Sequence, residues 1–154
     1  MEETKPFLLR FKVKDYLNLP YEPGCCVYSE RVRGKDRSVW QLQLYPGGAT
    51  DDDDVISDEN NVYMSVFLHY VEGPNISAKT TFILRDAHGN AYHRSTSDND
   101  VDTYIVGKEC FGYFNFIRRS SIVNEASNIL LHGTLVIDVE VRMIPLRNTR
   151  RMEV

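Results

Sequence analysis

Basic residues are in short supply: 18 Lys and Arg stand against 22 Asp and Glu, for a formal net charge of -4 and a pI near 5.5. A surface that gathers nucleic acid or anionic lipid needs a surplus of cations on one face. Neither partner is expected, and Arg118-Arg119 and the tail Arg147, Arg150, Arg151 read as solvated or ion-paired surface groups. Cysteine is scarce and odd in number. Cys25 and Cys26 are adjacent, a placement from which an unstrained disulfide is hard to close, and only Cys110 remains. A reducing compartment, cytoplasm or nucleus, is the expectation. No apolar run approaches a membrane span, and the opening Met1-Glu2-Glu3-Thr4-Lys5-Pro6 lacks the basic start and apolar core of a signal peptide. The sequon Asn75-Ile76-Ser77 is therefore read as a turn entering a strand.

The signatures of chemistry are missing as well. His69, His88, His93 and His132 are widely spaced and have no Cys or His partner at metal-ligand spacing, although His88 and His93 flank one turn. The acidic run Asp51 to Asp54 with Asp58 and Glu59 lacks the offsets and closing Glu of a calcium loop and reads as a self-repelling extended loop. There is no phosphate-binding glycine loop, no dinucleotide fingerprint and no Gly-x-Ser-x-Gly elbow, and the only basic neighbour of Cys110 is Lys108. No cofactor, no metal and no catalytic residue are expected.

What is present is period-two alternation. Phe7, Leu9, Phe11 and Val13 alternate with Arg10, Lys12 and Lys14, and Leu135, Ile137, Val139, Val141 and Met143 alternate with Asp138, Glu140 and Arg142, each the pattern of a half-buried strand. Further strands are predicted over Cys26 to Arg33, Ser38 to Tyr45, Val62 to Val71, Ala78 to Arg85 and Ala91 to Thr96, punctuated by Pro23-Gly24, Arg33-Gly34-Lys35-Asp36, Pro46-Gly47-Gly48, Glu72-Gly73-Pro74-Asn75 and His88-Gly89-Asn90. Ser120 or Ser121 is placed to cap a short helix through Ile122, Val123, Glu125 and Ala126. The class is all-β: an antiparallel β-sandwich of seven to eight strands with one short helix before the last strand. No linker or repeat divides the chain, which is read as an extension over 1–6, one domain over 7–145 and a tail over 146–154.

The segment from Tyr104 to Phe116 concentrates Tyr104, Phe111, Tyr113, Phe114 and Phe116 around Gly107 and Gly112. One strand face cannot bury that many rings, so some are expected to line a groove, where aromatics supply much of the binding energy.

The run Val106-Gly107-Lys108-Glu109-Cys110-Phe111-Gly112-Tyr113, followed by Phe116-Ile117-Arg118-Arg119, resembles the signature of MATH (meprin and TRAF homology) domains, in which GK, an acidic residue and W-G-F lead into a "kFI" run, a short helix and a last strand. Phe11 to Tyr16 is similar to the family's opening strand, Trp40 to Gly48 to its W-x-l-x-x-y-P-x-G strand and turn, and Tyr63 to Leu68 to its "lSlyL" strand; order and spacing hold from about residue 7 to residue 143. Within the family the chain looks closest to the substrate-binding domains of speckle-type BTB adaptors of cullin-RING ubiquitin ligases, which bind a short extended degron. The resemblance implies a protein-protein interaction module that takes short linear peptide motifs and is a monomer in isolation. Its alternatives are the targeting domain of a MATH-containing protease or deubiquitinase, or a receptor-signalling adaptor. Carried over by position, the groove would contain Phe67, Phe111, Gly112 and Tyr113, with Lys108 and Glu109 as polar contacts, Asp102 or Tyr104 on the preceding loop, and Thr80 where the adaptors have Phe. Cys110 or its neighbour is an extra residue, and Phe114 and Asn115 replace lysines. The implied partner motif is less acidic than the adaptor degron, and the implied groove is more open beside Thr80.

Overall fold

A computed structural model describes residues 5–49, 62–96, 102–104 and 110–144. The acidic run beginning at Asp51, the 1–4 segment, Lys108, Glu109 and the tail beyond residue 144 lie outside the described residues.

Alternation resolves into two antiparallel sheets. The first holds β1 (Phe7–Val13), β10 (Leu135–Ile144), β6 (Ile76–Arg85) and β7 (Ala91–Thr96) in that order, with β8 (Asp102–Tyr104) pairing the opening residues of β6 beyond the reach of β7. The second runs β2 (Val27–Tyr28), β4 (Val39–Tyr45), β5 (Tyr63–Glu72), β9 (Cys110–Arg118), with β3 (Val32–Arg33) also on β4. The inward sets Leu9 and Phe11, Leu42 and Leu44, Val66 and Leu68, Ile137, Val139 and Val141 are sealed from solvent between the sheets, which supplies the apolar burial that holds the layers together. Trp40 sits at the centre of one end, its ring 4.6 Å from Tyr70 and 5.2 Å from Tyr104, and its indole N–H donates to Ser38 Oγ at 2.8 Å.

Two expectations change in detail. The strand predicted over Cys26 to Arg33 is two short pieces. At Ser29 the side chain replaces the backbone carbonyl as acceptor: Leu42 N–H donates to Ser29 Oγ at 2.9 Å, while Ser29 carbonyl oxygen takes the Gln41 side-chain amide at 2.8 Å, and the ladder is interrupted there. The helical stretch starts at Arg119, so neither Ser120 nor Ser121 caps it. Its first amide is satisfied by the sheet instead, Arg119 N–H donating to Val62 carbonyl oxygen at 2.9 Å, so no cap is needed at that donor. The stretch comprises α1 (Arg119–Asn124) and α2 (Ala126–Ile129), separated by Glu125 with φ -113° and ψ 28°, and buries Ile122 and Ile129.

Asp138 is the one fully buried carboxylate among the described residues. It lies on the outer side of the first sheet, where Arg10 Nε donates at 2.8 Å, Arg10 Nη2 at 2.9 Å and Arg85 Nε at 2.9 Å. Register dictates the arrangement, since Asp138 pairs Arg10 across β1 and Ile83 across β6, two residues from Arg85. Burial would push the Asp138 carboxyl up, but the hydrogen bonds and charges of Arg10 and Arg85 outweigh it and hold the pKa below its ordinary value. Folding thus favours the ionised form: the contribution is complete above the unfolded carboxylate's titration and is lost as pH falls through the lower folded value. Asp138→Asn leaves two guanidiniums without their counter-charge. Because Arg10 is half exposed, we expect a loss of about 2 kcal/mol rather than the larger figures for sealed pairs. Urea denaturation at neutral pH should read that loss, and the wild type should converge on the variant in acid; equal stability at neutral pH contradicts the assignment.

Candidate functional site

β9 decides where the aromatic cluster goes. It pairs β5 with Phe67 opposite Gly112 and Leu68 opposite Phe111, and among the described residues no strand covers its other edge. Gly112 lies against the β5 backbone: a Cβ there would collide with the Val66 carbonyl and lie 2.7 Å from Phe67 Cα. Only glycine permits this approach. Between the pairs Met64↔Ile117 and Val66↔Tyr113 the register shifts, and β9 spends four residues where β5 spends two, so β9 bulges. Ser65, fully buried opposite the bulge, donates its hydroxyl to Phe114 carbonyl oxygen at 2.6 Å and accepts Ala49 N–H at 3.0 Å. Bulges of this kind re-aim side chains and recur beside functional sites.

The rings separate onto two sides. Phe111 and Tyr113, half-buried, point into the gap between the sheets: Phe111 meets Tyr104 at 4.8 Å and Tyr113 meets Phe82 at 5.3 Å. Tyr104 pairs with Ile76 on β6, and Thr80 shares the inward face of β6 with Ala78 and Phe82, so Thr80 falls between the two ring contacts. The structure therefore brings Thr80, Tyr104, Phe111 and Tyr113 together at the mouth between β9 and the β6/β8 pair. Thr80 is 3% exposed, so the expected opening beside it is filled by its neighbours. Asp102 enters the same region through β8, paired with Ala78.

Phe67 does not join them. Its neighbours Val66 and Leu68 are fully buried, so alternation turns Phe67 to the outer face of the second sheet. There it lies 6.0 Å from Tyr45 and 5.1 Å from Phe114, which is 64% exposed. The aromatic residues of the expected groove, Phe67, Phe111 and Tyr113, are thus divided between two surfaces, one on each side of the β5–β9 pair. Lys108 and Glu109 lie outside the described residues.

The outer face carries a polar network that sequence reasoning missed. Gln43 is its hub: its amide nitrogen donates to Tyr45 OH at 2.9 Å, to Tyr28 OH at 3.0 Å and, more weakly, towards Cys26 Sγ at 3.4 Å, and its carbonyl oxygen accepts from His69 Nε2 at 2.7 Å. Gln41, Gln43 and Tyr45 stand at alternate positions of β4, so the sequence did contain the signal: a strand whose outward residues are amides and a tyrosine. The outer face of the other sheet instead presents Arg10, Lys12, Lys79, Arg85, Asp138, Glu140 and Arg142. His88 and His93 do not pair. His88 is exposed in a turn closed by Asp86, and the His93 ring packs on Phe116 at 5.0 Å. Among the described residues no three His, Cys, Asp or Glu converge on a metal site, and no helix is long and apolar enough to cross a membrane.

Two outcomes test this geometry. Gly112→Ala forces β9 away from β5 and should cost about 2 kcal/mol or more, the scale of overpacking a closed site; unchanged thermal stability contradicts the close approach. Burial lowers the pKa of His69 below 6.5, so folding favours the neutral ring. Its contribution is full above the unfolded titration and falls away as pH drops towards the folded value. His69→Gln should therefore narrow the stability lost between neutral pH and about pH 5, as read by melting temperatures; parallel pH profiles contradict it.

The comparison with known families agrees with this architecture: the family model described as the MATH domain matches residues 9–141. That match spans most of the sequence and both sheets, and the chain belongs to the MATH domain family, a family of protein-interaction modules.

Proposed function

We propose that this domain binds a short peptide in extended conformation along the edge of β9 that no described strand covers, and that it recognises rather than transforms its partner. The observation that carries the reading is the pairing of an available strand edge with aromatic surfaces on both of its sides: Phe111 and Tyr113 at the mouth, Phe67 and Phe114 outside. An added strand gains affinity from main-chain hydrogen bonds and specificity from surfaces that take alternate side chains. Thr80 and Tyr104, both buried, pack behind Phe111 and Tyr113 and hold them in place, Gly112 keeps the centre of β9 low, and Lys108, Glu109 and Asp102 are proposed as polar contacts of the peptide. A peptide of five or six residues buries little surface and must be ordered, so affinity in the micromolar range is expected.

The finer reading is that the domain supplies substrate recognition to a BTB/cullin-RING ubiquitin ligase adaptor in the cytoplasm or nucleus. Support comes from the Gly107-Lys108-Glu109 and Phe116-Ile117-Arg118-Arg119 motifs and their spacing.

Peptides selected from a random library on the wild-type domain give the test. Single N-methyl groups scanned along the best peptide remove one donor at a time, and those at alternate amides facing β9 should each weaken binding about tenfold or more. A peptide that tolerates every N-methyl group is not held by strand pairing. Tyr113→Ala, compared at matched folded fraction, should abolish binding, and wild-type affinity in that variant removes the mouth from the site.

A further inference from the structure

Phe114 is an expensive residue to leave in solvent, and several features hold it there. The bulge places it off the inward register, Ser65 fixes its carbonyl at 2.6 Å, and its ring meets Phe67 edge-on at 5.1 Å with an interplanar angle of 77°. Phe67 in turn meets Tyr45 edge-on at 89°, and the Tyr45 hydroxyl is held by Gln43. The result is a row of three rings, Tyr45, Phe67 and Phe114, rising from a half-buried to an exposed position towards the edge of β9 that no described strand covers. Around the row, the outward positions Gln41, Gln43, Ser65, His69, Cys110 and Gly112 carry no carboxylate, ammonium or guanidinium, and the next guanidinium along β9, that of Arg118, is engaged by Tyr63, lying 5.7 Å from its ring centre and donating from Nε to its hydroxyl at 3.2 Å.

From this we infer that the Phe114–Phe67–Tyr45 row is a second specificity surface for the peptide, reading an uncharged apolar or aromatic side chain. The inference rests on the proposed peptide-binding function and sharpens it. Successive side chains of a paired strand point to opposite faces of the sheet. If one residue of the peptide enters the mouth lined by Phe111 and Tyr113, its neighbour in sequence lies over the outer face beside Phe114. An apolar side chain there gains ring contact area. A carboxylate or phosphate would lose water and find no cation among the described residues of that row. The ligand class is accordingly a peptide with two consecutive apolar residues, one for each side of β9, and not an acidic or phosphorylated motif at the second position.

Phe114 is exposed, so replacing it leaves the core intact, and melting temperatures of Phe114→Lys and Phe114→Ser should stay near wild type. Random octapeptide libraries selected separately on the wild type and on both variants read the preference position by position. For the wild type we expect an apolar residue enriched next to the anchor residue, with replacement of that residue by Asp weakening binding about tenfold or more. Phe114→Ser should lose the enrichment, and Phe114→Lys should replace it with acidic residues, while both keep the anchor preference. If the wild type selects an anchored motif with no apolar neighbour, or if both variants select the wild-type motif with equal affinity, the second surface is overturned and the peptide-binding function stands. If the wild type selects no motif, both fall.

Discussion

The contact between Gly112 and the backbone of β5 governs everything around it. Because no side chain stands between the strands, β9 can lie against Val66 and Phe67, and its flanking residues Phe111 and Tyr113 are carried into the gap between the sheets instead of across the surface of β5. The same approach cannot continue along the strand. The register breaks before Met64, two residues are accommodated in a bulge, and Ser65 fills the interrupted ladder with its hydroxyl. The close approach at Gly112 thus seats the inward pair of rings against β5, and the bulge beyond it accompanies the outward display of Phe114.

The two outer faces of the sandwich solve the solvent problem differently. On the first sheet, the charged outward positions centre on Asp138 of β10, which is covered by Arg10 of β1 and Arg85 of β6 on either side of it. That face is charged, with its buried carboxylate ion-paired. On the second sheet, amides, tyrosine hydroxyls and an imidazole are tied to one another through Gln43 beside the exposed ring of Phe114, and Arg118 at the far end of β9 is engaged by Tyr63. Polar groups already satisfied by each other cost little to desolvate, while exposed aromatic area gains from being covered. In the proposed reading that asymmetry favours the second sheet and its β9 edge as the side for a partner.

Much of the fold was legible in the sequence because strand burial has a period of two. β1, β4, β5, β7 and β10 fall within a residue of the predicted spans, since Leu9, Leu44, Val66 and Val139 sit on unbroken alternations flanked by turn residues. The pattern failed where a side chain replaced a backbone group: Ser29 in the β2–β3 stretch, and Arg119 at the helix start, whose amide is met by Val62. Spatial proximity of the candidate residues was partly legible, and their sidedness was not. Phe111, Tyr113, Tyr104 and Thr80 do converge, but Phe67 is one residue out of phase with Val66 and Leu68 and faces the other way. Motif spacing gives position along the chain, whereas facing depends on strand phase. The bulge at Phe114 breaks that phase, and no residue type in Tyr113-Phe114-Asn115-Phe116 announces it.

The central claim is that a peptide adds as a strand to β9, and amide hydrogen exchange of the domain with and without a library-selected peptide tests it most directly. Slowed exchange should be concentrated in Cys110 to Phe114, with Phe82 and Arg94 on the opposite sheet unchanged. Protection that appears instead along β7 or β1, with β9 unaffected, would contradict the account.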